Sequence, residues 1–173
     1  MTIKPRIALD LDGVLADFNF SYNKFFKTNI NDEQDYKITK NVRKLQYNKK
    51  FWTTLPVVES INFVPCIYAT KRINPKSYTK LWLEKNEFPV KPVYQMFYQY
   101  GNKANMIKGR CDVLIDDSPF NVYQCIKSGF PALLIDRPHN QQAGPLFRIY
   151  SLDIEEITNA YNFLKTYGEG FFK

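Results

Sequence analysis

Short apolar runs alternate along this chain with segments in which apolar residues recur every three or four positions. Apolar runs of four to six residues without interleaved polar ones are typical of strands buried on both faces of a sheet. Such strands are predicted at Arg6 to Leu11, Pro65 to Thr70, Val113 to Asp116 and Ala132 to Asp136, with a weaker candidate at Pro92 to Phe97.

The segments between these strands carry the usual signals of helix ends, with Asn or Ser at the start and Gly at the stop. The first predicted helix starts at Asn74-Pro75, with Tyr78, Leu81 and Trp82 inward, and the second runs from Asn102 to Gly109. The third starts at Ser118-Pro119 and ends at Gly129, with Val122, Cys125 and Ile126 inward. The last runs from Asp153 to Lys165. This alternation predicts an α/β fold, a doubly wound and mostly parallel Rossmann-like sheet with helices on both faces.

Residues 17–61 break the alternation directly after the first strand. Between residues 18 and 56 the sequence has eight basic and three acidic side chains, together with nine aromatic ones. We therefore predict a small helical cap at 17–61, laid over a core formed by residues 1–16 and 62–173. The cap would cover the carboxyl edge of the sheet, where open α/β sheets bind their ligands.

Composition limits the class of protein. With 173 residues, of which 45% are hydrophobic, the chain can form one well-packed core and is too apolar for disorder. The net charge of +7 favours an anionic partner such as a nucleotide. The three cysteines Cys66, Cys111 and Cys125 match no metal-ligand spacing, and their odd number favours a reducing compartment over a disulfide framework. Without an apolar run of about 20 residues, we expect a soluble cytoplasmic protein with no membrane partner, either monomeric or homodimeric.

Two pairs of aspartates lie at predicted strand ends. Asp10 and Asp12 close the first strand, and Asp116 and Asp117 close the strand that begins at Val113. Because parallel strands bring their carboxyl ends to one edge, four carboxylates would share a small volume, which requires a neutralising cation or bound protons. With oxygen ligands and no histidine or cysteine expected nearby, the favoured ion is Mg²⁺.

The motifs around these aspartates resemble those of a known superfamily. DLDGVLAD at 10–17, Thr70 at the end of a strand, Lys103 at the start of a helix and IDDS at 115–118 are similar to the four ordered motifs of the haloacid dehalogenase superfamily. The resemblance covers the whole predicted core and implies phosphoryl transfer through a covalent intermediate. Within the superfamily, an aspartate such as Asp12 in the first motif favours a phosphatase or phosphomutase.

This resemblance implies a role for each motif residue. Residues two apart on a strand project to the same side, so Asp10 can attack phosphorus to form an aspartyl-phosphate while Asp12 protonates the leaving oxygen and later activates water. Thr70 would donate its hydroxyl to a phosphate oxygen, and Lys103 would neutralise the phosphate. Lys108, at the end of the same predicted helix, is the less favoured alternative to Lys103.

The resemblance also implies the ligands of Mg²⁺. They would be a carboxylate oxygen of Asp10, the backbone carbonyl of Asp12 and the carboxylate of Asp117, with Asp116 orienting the site or binding through water. The opposite assignment of Asp116 and Asp117 stays open. Gly13 would let the backbone turn close to the phosphate.

Within the superfamily the chain is most similar to the 5'(3')-deoxyribonucleotidase family. The matching segments are DLDGVLADF at 10–18, FWTTLP at 51–56 and LIDDSPFNV at 114–122. In that family the aromatic residues that match Phe18, Phe51 and Trp52 line the nucleobase pocket, and bases stack on such rings with roughly 1–3 kcal/mol each. The alternative is that the three rings form the core of the cap.

The chain is therefore predicted to be a Mg²⁺-dependent phosphatase that removes phosphate from deoxyribonucleoside monophosphates. The alternatives are a polynucleotide 3'-phosphatase, a sugar phosphatase and, in a different class, a non-catalytic module that binds nucleic acid through its basic surface. A stable complex with nucleic acid is less favoured, because a binding module needs neither Asp10 nor Asp12.

Other charged residues lie near the motifs. Lys71 and Arg72 either contact the substrate or lie in a solvated loop. His139, the only histidine of the chain, is expected on a surface loop. Asp17 is expected to fix the hinge of the cap, and Asp136 is expected to have a structural role.

Overall fold

The chain folds around a parallel β-sheet, and the predicted α/β architecture is confirmed. A computed structural model describes residues 3–29, 41–96, 102–144 and 146–167. The strands of these residues are β1 (Ile7–Leu9), β2 (Ile67–Thr70), β3 (Val93–Gln95), β4 (Val113–Asp116), β5 (Ala132–Ile135) and β6 (Arg148–Ile149). They lie in the order β3-β2-β1-β4-β5-β6, and every neighbouring pair is parallel.

The first five strands fall within the predicted runs, while β6 was not predicted. It has only two residues, and one of them is the arginine Arg148, so it lacks the apolar run that marks the other strands. Residue 97, the last of the predicted strand at 92–97, lies outside the described residues.

Helices connect the strands, and no helix of the described residues is long and apolar enough to cross a membrane. Those with described bounds are α1 (Phe18–Phe26), α2 (Lys49–Thr53), α3 (Lys76–Lys85), α4 (Lys103–Ile107), α5 (Pro119–Lys127) and α6 (Ile154–Tyr167), with 3-10 turns at Arg43–Leu45 and Pro138–Asn140. The predicted N-caps Asn102 and Ser118 are confirmed, because their side chains accept hydrogen bonds from the N–H groups of Ala104 and Asn121.

Alternate strand residues pack into two cores, one on each face of the sheet. Leu9 and Ile115 belong to the core that contains the buried residues of α3 and α6. Ala8 and Leu114 belong to the core that contains those of α4 and α5. Since both faces are covered, the central strands β1 and β4 are apolar until they reach the aspartates at their carboxyl ends.

The inward face of α3 differs from the predicted one. Thr79, Trp82 and Leu83 are buried, whereas Tyr78 and Leu81 are only half-buried. The Thr79 hydroxyl accepts a hydrogen bond of 3.1 Å from the side-chain amide of Asn74. This bond satisfies a buried polar group that apolar patterning alone would place at the surface.

The segment predicted as a cap contributes α1, α2 and the 3-10 turn between them. Its buried residues, among them Phe18 and Trp52, join the same core as α3 and α6. The N–H of Asp17 donates to the carbonyl of Pro56 (2.8 Å), which ties the start of the segment to its end. Residues 30–40, which hold part of the predicted basic charge, lie outside the described residues, and the division into core and cap stays a prediction.

The expectation that the cysteines form no disulfide is wrong. Cys66 and Cys111 are joined by a disulfide, with their Cα atoms 6.5 Å apart. Cys66 precedes β2 and Cys111 precedes β4, and these two strands flank β1. The sheet topology therefore brings together two residues whose spacing in the sequence carries no such signal. Cys125 is a buried free thiol, and burial raises its pKa to about 12.

Candidate functional site

The candidate site lies where the strand order of the sheet reverses. The chain proceeds outward from β1 to β2 and β3 on one side and through β4, β5 and β6 on the other. The carboxyl ends of β1 and β4 therefore form the crevice in which open α/β sheets bind ligands. The N–H of Asp10 donates to the carbonyl of Ile115 (2.9 Å), so the pairing holds these two strand ends together up to the aspartates.

A tight turn directs the chain away from this crevice after β1. The carbonyl of Leu11 accepts hydrogen bonds from the N–H groups of Leu15 and Ala16, both at 2.8 Å. Gly13 has a φ of +77°, which is left-handed backbone that favours glycine. A Cβ atom at this position would overlap the carboxylate of Asp117. Gly13 is therefore required both by the turn and by the close approach of an acidic side chain.

Lys103 connects the two strand ends through its ammonium group. Its Nζ lies 2.8 Å from Oδ1 of Asp10 and 2.7 Å from Oδ2 of Asp116, and all three residues are buried. Burial disfavours the charge of Lys103, but the two flanking carboxylates outweigh burial and raise its pKa above the ordinary value. The predicted alternative, Lys108, is exposed at the end of α4. The structure thus brings Lys103 to the aspartates, as predicted.

Asp116 is held by several donors besides Lys103. It accepts hydrogen bonds from the N–H of Ser118 (2.9 Å) and from the side-chain amide of Asn121 (3.1 and 3.2 Å). The Asn121 oxygen in turn accepts a hydrogen bond of 2.7 Å from Nζ of Lys71. Asn121 was not predicted as a site residue, although its position on the first turn of α5, shortly after the Asp116-Asp117 pair, was the available signal.

Asp117 contacts a residue that was predicted to lie at the surface. Nε2 of His139 lies 2.9 Å from Oδ2 of Asp117, so the assignment of His139 to a surface loop is wrong, as is the expectation that no histidine lies near the carboxylates. The 3-10 turn after β5 places His139 here, because Asn140 of that turn donates a hydrogen bond of 2.8 Å to the carbonyl of Asp117. Neighbouring parallel strands end at the same edge, and the loop after β5 shares it with β4.

The carboxylate cluster fits a divalent cation. One oxygen each from Asp10, Asp116 and Asp117 lies within 4.8 Å of the others. Oδ1 of Asp10 is buried and has no well-aligned hydrogen bond despite its ion pair with Lys103. Carboxylate oxygens are the donors that Mg²⁺ prefers.

Burial raises the pKa of two carboxyl groups in this cluster. It raises the pKa of Asp10 well above the usual carboxyl range, although Lys103 opposes the shift. It also raises the pKa of Asp117, with the hydrogen bond from His139 opposing. One lysine thus does not neutralise three buried carboxylates, and a bound cation would supply the missing positive charge.

Asp12 lies within the tight turn after β1 and forms an ion pair. Its carboxylate accepts three hydrogen bonds, of 2.6 to 3.0 Å, from the guanidinium of Arg72. Arg72 is 3% exposed, so the alternative of a solvated loop is wrong for this residue. Thr70, at the end of β2, accepts a hydrogen bond of 3.2 Å from the N–H of Arg72 through its hydroxyl oxygen, which leaves the hydroxyl proton able to donate.

A cavity of about 570 Å³ opens above these strand ends. This volume is within the range of small-molecule sites. Its walls combine predicted site residues with others that the sequence did not indicate. The lining consists of Asp10, Asp12, Phe18, Val42, Trp52, Thr70, Lys71, Arg72, Ile73, Lys103, Asp117, Ser118, Pro119, Phe120, Asn121 and His139.

The three aromatic residues predicted to bind a base are packed against one another. The rings of Phe18 and Trp52 are stacked with centroids 5.8 Å apart, and Phe51 packs edge-on against both. Trp52 is 1% exposed, and its indole N–H donates to the carbonyl of Leu45 (2.7 Å). Phe18 and Trp52 line the cavity, whereas Phe51 is not among its described lining residues.

Two further aspartates make structural contacts, while the predicted hinge role of Asp17 stays a prediction. Asp17 caps α1 by accepting a hydrogen bond of 2.9 Å from the N–H of Phe20, which fixes the entry to the cap segment. Asp136 forms an ion pair of 2.9 Å with Arg148.

Comparison with known proteins adds no assignment to this geometry. No protein-family model and no curated protein matches the chain. The resemblance of the motifs to the haloacid dehalogenase superfamily therefore remains an interpretation of the residues themselves.

Proposed function

We propose that this protein is a Mg²⁺-dependent phosphomonoester hydrolase that acts through an aspartyl-phosphate on Asp10. The proposal is supported above all by Lys103, whose ammonium group is buried between the carboxylates of Asp10 and Asp116. A buried lysine beside a buried carboxylate, open to a cavity, suits the binding of a phosphate next to a nucleophile.

In the first half-reaction, an oxygen of Asp10 forms a bond to phosphorus and the ester bond to the leaving oxygen breaks. Asp12, two residues further on, gives its proton to that oxygen. Thr70 and Lys103 both line the cavity, where they would donate hydrogen bonds to the phosphate oxygens. These donors are positioned before the reaction, which is the arrangement that stabilises charge developing in a transition state.

In the second half-reaction, water forms a bond to phosphorus and the bond from phosphorus to Asp10 breaks. Asp12 takes the proton of the attacking water, which restores the free enzyme. A bound Mg²⁺, held by Asp10, Asp116 and Asp117 and by the carbonyl of Asp12, would neutralise the carboxylates and the phosphate. The raised pKa of Asp10 makes this neutralisation important, since only the ionised carboxylate is a nucleophile.

The substrate class we propose is the deoxyribonucleoside monophosphates. A cavity of about 570 Å³ with a polar floor and aromatic side chains in its walls would accommodate a phosphate, a sugar and a base. Lys71, which lines the same cavity, adds a cationic group near the phosphate end.

Phosphate release from a panel of substrates tests this proposal. The panel contains deoxyribonucleoside 5'- and 3'-monophosphates, sugar phosphates and 3'-phosphorylated oligonucleotides, each with Mg²⁺ and with EDTA. We expect Mg²⁺-dependent release that is fastest with the mononucleotides. Faster release from the oligonucleotide or from a sugar phosphate would show that the proposed substrate class is wrong. Binding of an oligonucleotide without any phosphate release would contradict the proposal that the protein is an enzyme.

A further inference from the structure

Arg72 is the residue whose contacts the proposed reaction does not yet explain. Nε of its guanidinium donates to both carboxylate oxygens of Asp12, at 3.0 and 2.9 Å, and Nη2 donates to Oδ1 at 2.6 Å. The side chain of Arg72 is fully buried. A two-point contact from a planar guanidinium fixes the orientation of a carboxylate as well as its position.

The guanidinium itself is held rigidly. Its central carbon lies 5.5 Å from the ring centre of Trp52 and 5.3 Å from that of Trp82, distances at which a cation is attracted to the ring faces. The backbone of Arg72 is also fixed, because its carbonyl accepts a hydrogen bond of 2.7 Å from the side chain of Gln95. Asp12 is therefore attached to a residue that has little freedom to move.

This contact fixes the direction in which the carboxylate of Asp12 points. In the first half-reaction the leaving oxygen is placed by the phosphate to which it is bonded, whereas in the second half-reaction the attacking water is placed by the group that accepts its proton. The orientation of Asp12 therefore matters more for the second half-reaction than for the first.

We propose that Arg72 is a positioning residue that holds Asp12 as the base for hydrolysis of the aspartyl-phosphate. This inference rests on the proposed function, and it assigns Arg72 to one half-reaction of it. Arg72 would act through Asp12 and not on the phosphate. The competing role is direct binding of phosphate through Nη1, which is buried and has no hydrogen-bond partner among the described residues.

Rapid mixing with 2,4-dinitrophenyl phosphate in the presence of Mg²⁺ separates the two roles. Its leaving group needs no proton, so the first half-reaction is independent of an acid, and release of dinitrophenolate reports phosphorylation of Asp10. For Arg72→Gln we expect a burst of about one dinitrophenolate per enzyme, followed by turnover about 10²-fold slower than in the wild type. Intact-mass measurement should show one phosphoryl group retained on the protein.

Three single variants and one double variant serve as controls. Arg72→Lys keeps a positive charge but loses the planar fork, so we expect it to show the burst as well. Asp12→Asn should give the same burst, and combining it with Arg72→Gln should slow the second phase no further. Arg6→Gln removes an arginine that pairs with Asp112 at the surface, and it should behave as the wild type.

Equal loss of the burst and of steady turnover in Arg72→Gln, without a retained phosphoryl group, would overturn the positioning role. So would wild-type turnover by Arg72→Lys, or a further loss in the double variant, since either shows that Arg72 acts independently of the orientation of Asp12. If the wild type cleaved no phosphate ester, the proposed function would fail and this inference with it. A wild type that is active beside an Arg72 variant without a burst would overturn this inference alone.

Discussion

The two walls of the cavity are built by different physical means. On the wall formed by the strand ends, Asp10 and Lys103 form a short ion pair, Lys103 pairs with the buried Asp116 as well, and burial raises the pKa of Asp10. On the cap wall, Phe18 and Trp52 are held by ring stacking and apolar packing. The buried charges of the first wall can therefore interact strongly with a charged ligand, whereas the ring faces of the second wall are largely covered by one another.

This difference indicates where phosphate chemistry and base recognition would reside. Under the proposed function, the strand-end wall would serve any phosphate ester, because its groups are charged. The cap wall can contribute shape but has little exposed ring surface. Among the described lining residues, the exposed aromatic side chain is that of Phe120, which is 50% exposed and whose ring centre lies 5.6 Å from Nζ of Lys71.

The largest effect is expected at the nucleophile of the strand-end wall. Asp10→Asn replaces a carboxylate by an amide of nearly the same shape, so we expect phosphate release to fall by about 10³-fold or more while the fold is retained. Steady-state assays and thermal unfolding measure both. The matched control is Asp136→Asn at the end of β5, which pairs with Arg148 outside the cavity lining and should retain activity. Wild-type turnover by Asp10→Asn would refute Asp10 as the nucleophile.

A smaller effect is expected at Gly13, where the same wall depends on a missing side chain. A Cβ at this position would displace the carboxylate of Asp117, so Gly13→Ala should lower kcat/KM by about 10²-fold. Gly109→Ala is the matched control, because Gly109 also has a positive φ of +79° but has nothing within 4 Å of an added Cβ.

Both glycine variants should lose about 1 to 2 kcal/mol of unfolding free energy from backbone strain. Only Gly13→Ala should also lose activity. Equal activity in the two variants would show that the approach of Asp117 to Gly13 has no role in the site.

The cap wall and Phe120 can be compared by two alanine variants. Phe120→Ala should lower kcat/KM for nucleoside monophosphates by a factor that corresponds to the loss of one stacking interaction of roughly 1–3 kcal/mol. It should change neither the hydrolysis of p-nitrophenyl phosphate nor the melting temperature by much. Trp52→Ala removes a buried ring, so it should lower the unfolding free energy by about 3–5 kcal/mol and affect both substrates.

The opposite result for Trp52→Ala would assign base recognition to the cap wall. A Trp52→Ala protein with an unchanged melting temperature and a loss confined to nucleotides would confirm the original hypothesis that this ring stacks on the base.

The smallest effect is expected far from both walls, at the pair of Arg6 and Asp112. The hydrogen bond from Arg6 lowers the pKa of Asp112. A carboxyl whose pKa is lowered by folding stabilises the protein above its unfolded pKa of about 3.9, and this contribution is lost as the pH falls through the folded value. The melting temperatures of wild type and Asp112→Asn should therefore differ slightly at pH 7 and converge as the pH falls below about 3.9. A difference that stays constant with pH would contradict the ion pair.

The strand-end wall was predictable from the sequence because its geometry follows from topology. Parallel strands that end in aspartate must bring Asp10 and Asp116 to one edge, and Asn102 marks the start of the helix that carries Lys103. These are consequences of local pattern and of the sheet order, which strand and helix alternation restricts strongly.

The rest of the site could not be predicted because it depends on where loops fold back. Arg72 and His139 lie in segments after β2 and β5 whose paths no periodicity specifies, and both turned out to contact an aspartate of the motifs. The same holds for Cys66 and Cys111, which meet only because β1 lies between their strands. The packing of Trp52 against Phe18 likewise needed the fold, since exposure of an aromatic ring cannot be read from its position in a motif.

Dependence of phosphate release on Mg²⁺ tests the central claim most directly. The claim is that Asp10, Asp116 and Asp117 form a carboxylate cluster that one lysine cannot neutralise and that a hard cation completes for catalysis. Protein treated with EDTA should lose release from a deoxyribonucleoside monophosphate, and excess Mg²⁺ should restore it, while Asp10→Asn stays inactive in both conditions. Full activity in metal-free buffer, or no release with Mg²⁺ from any phosphate ester, would contradict the account.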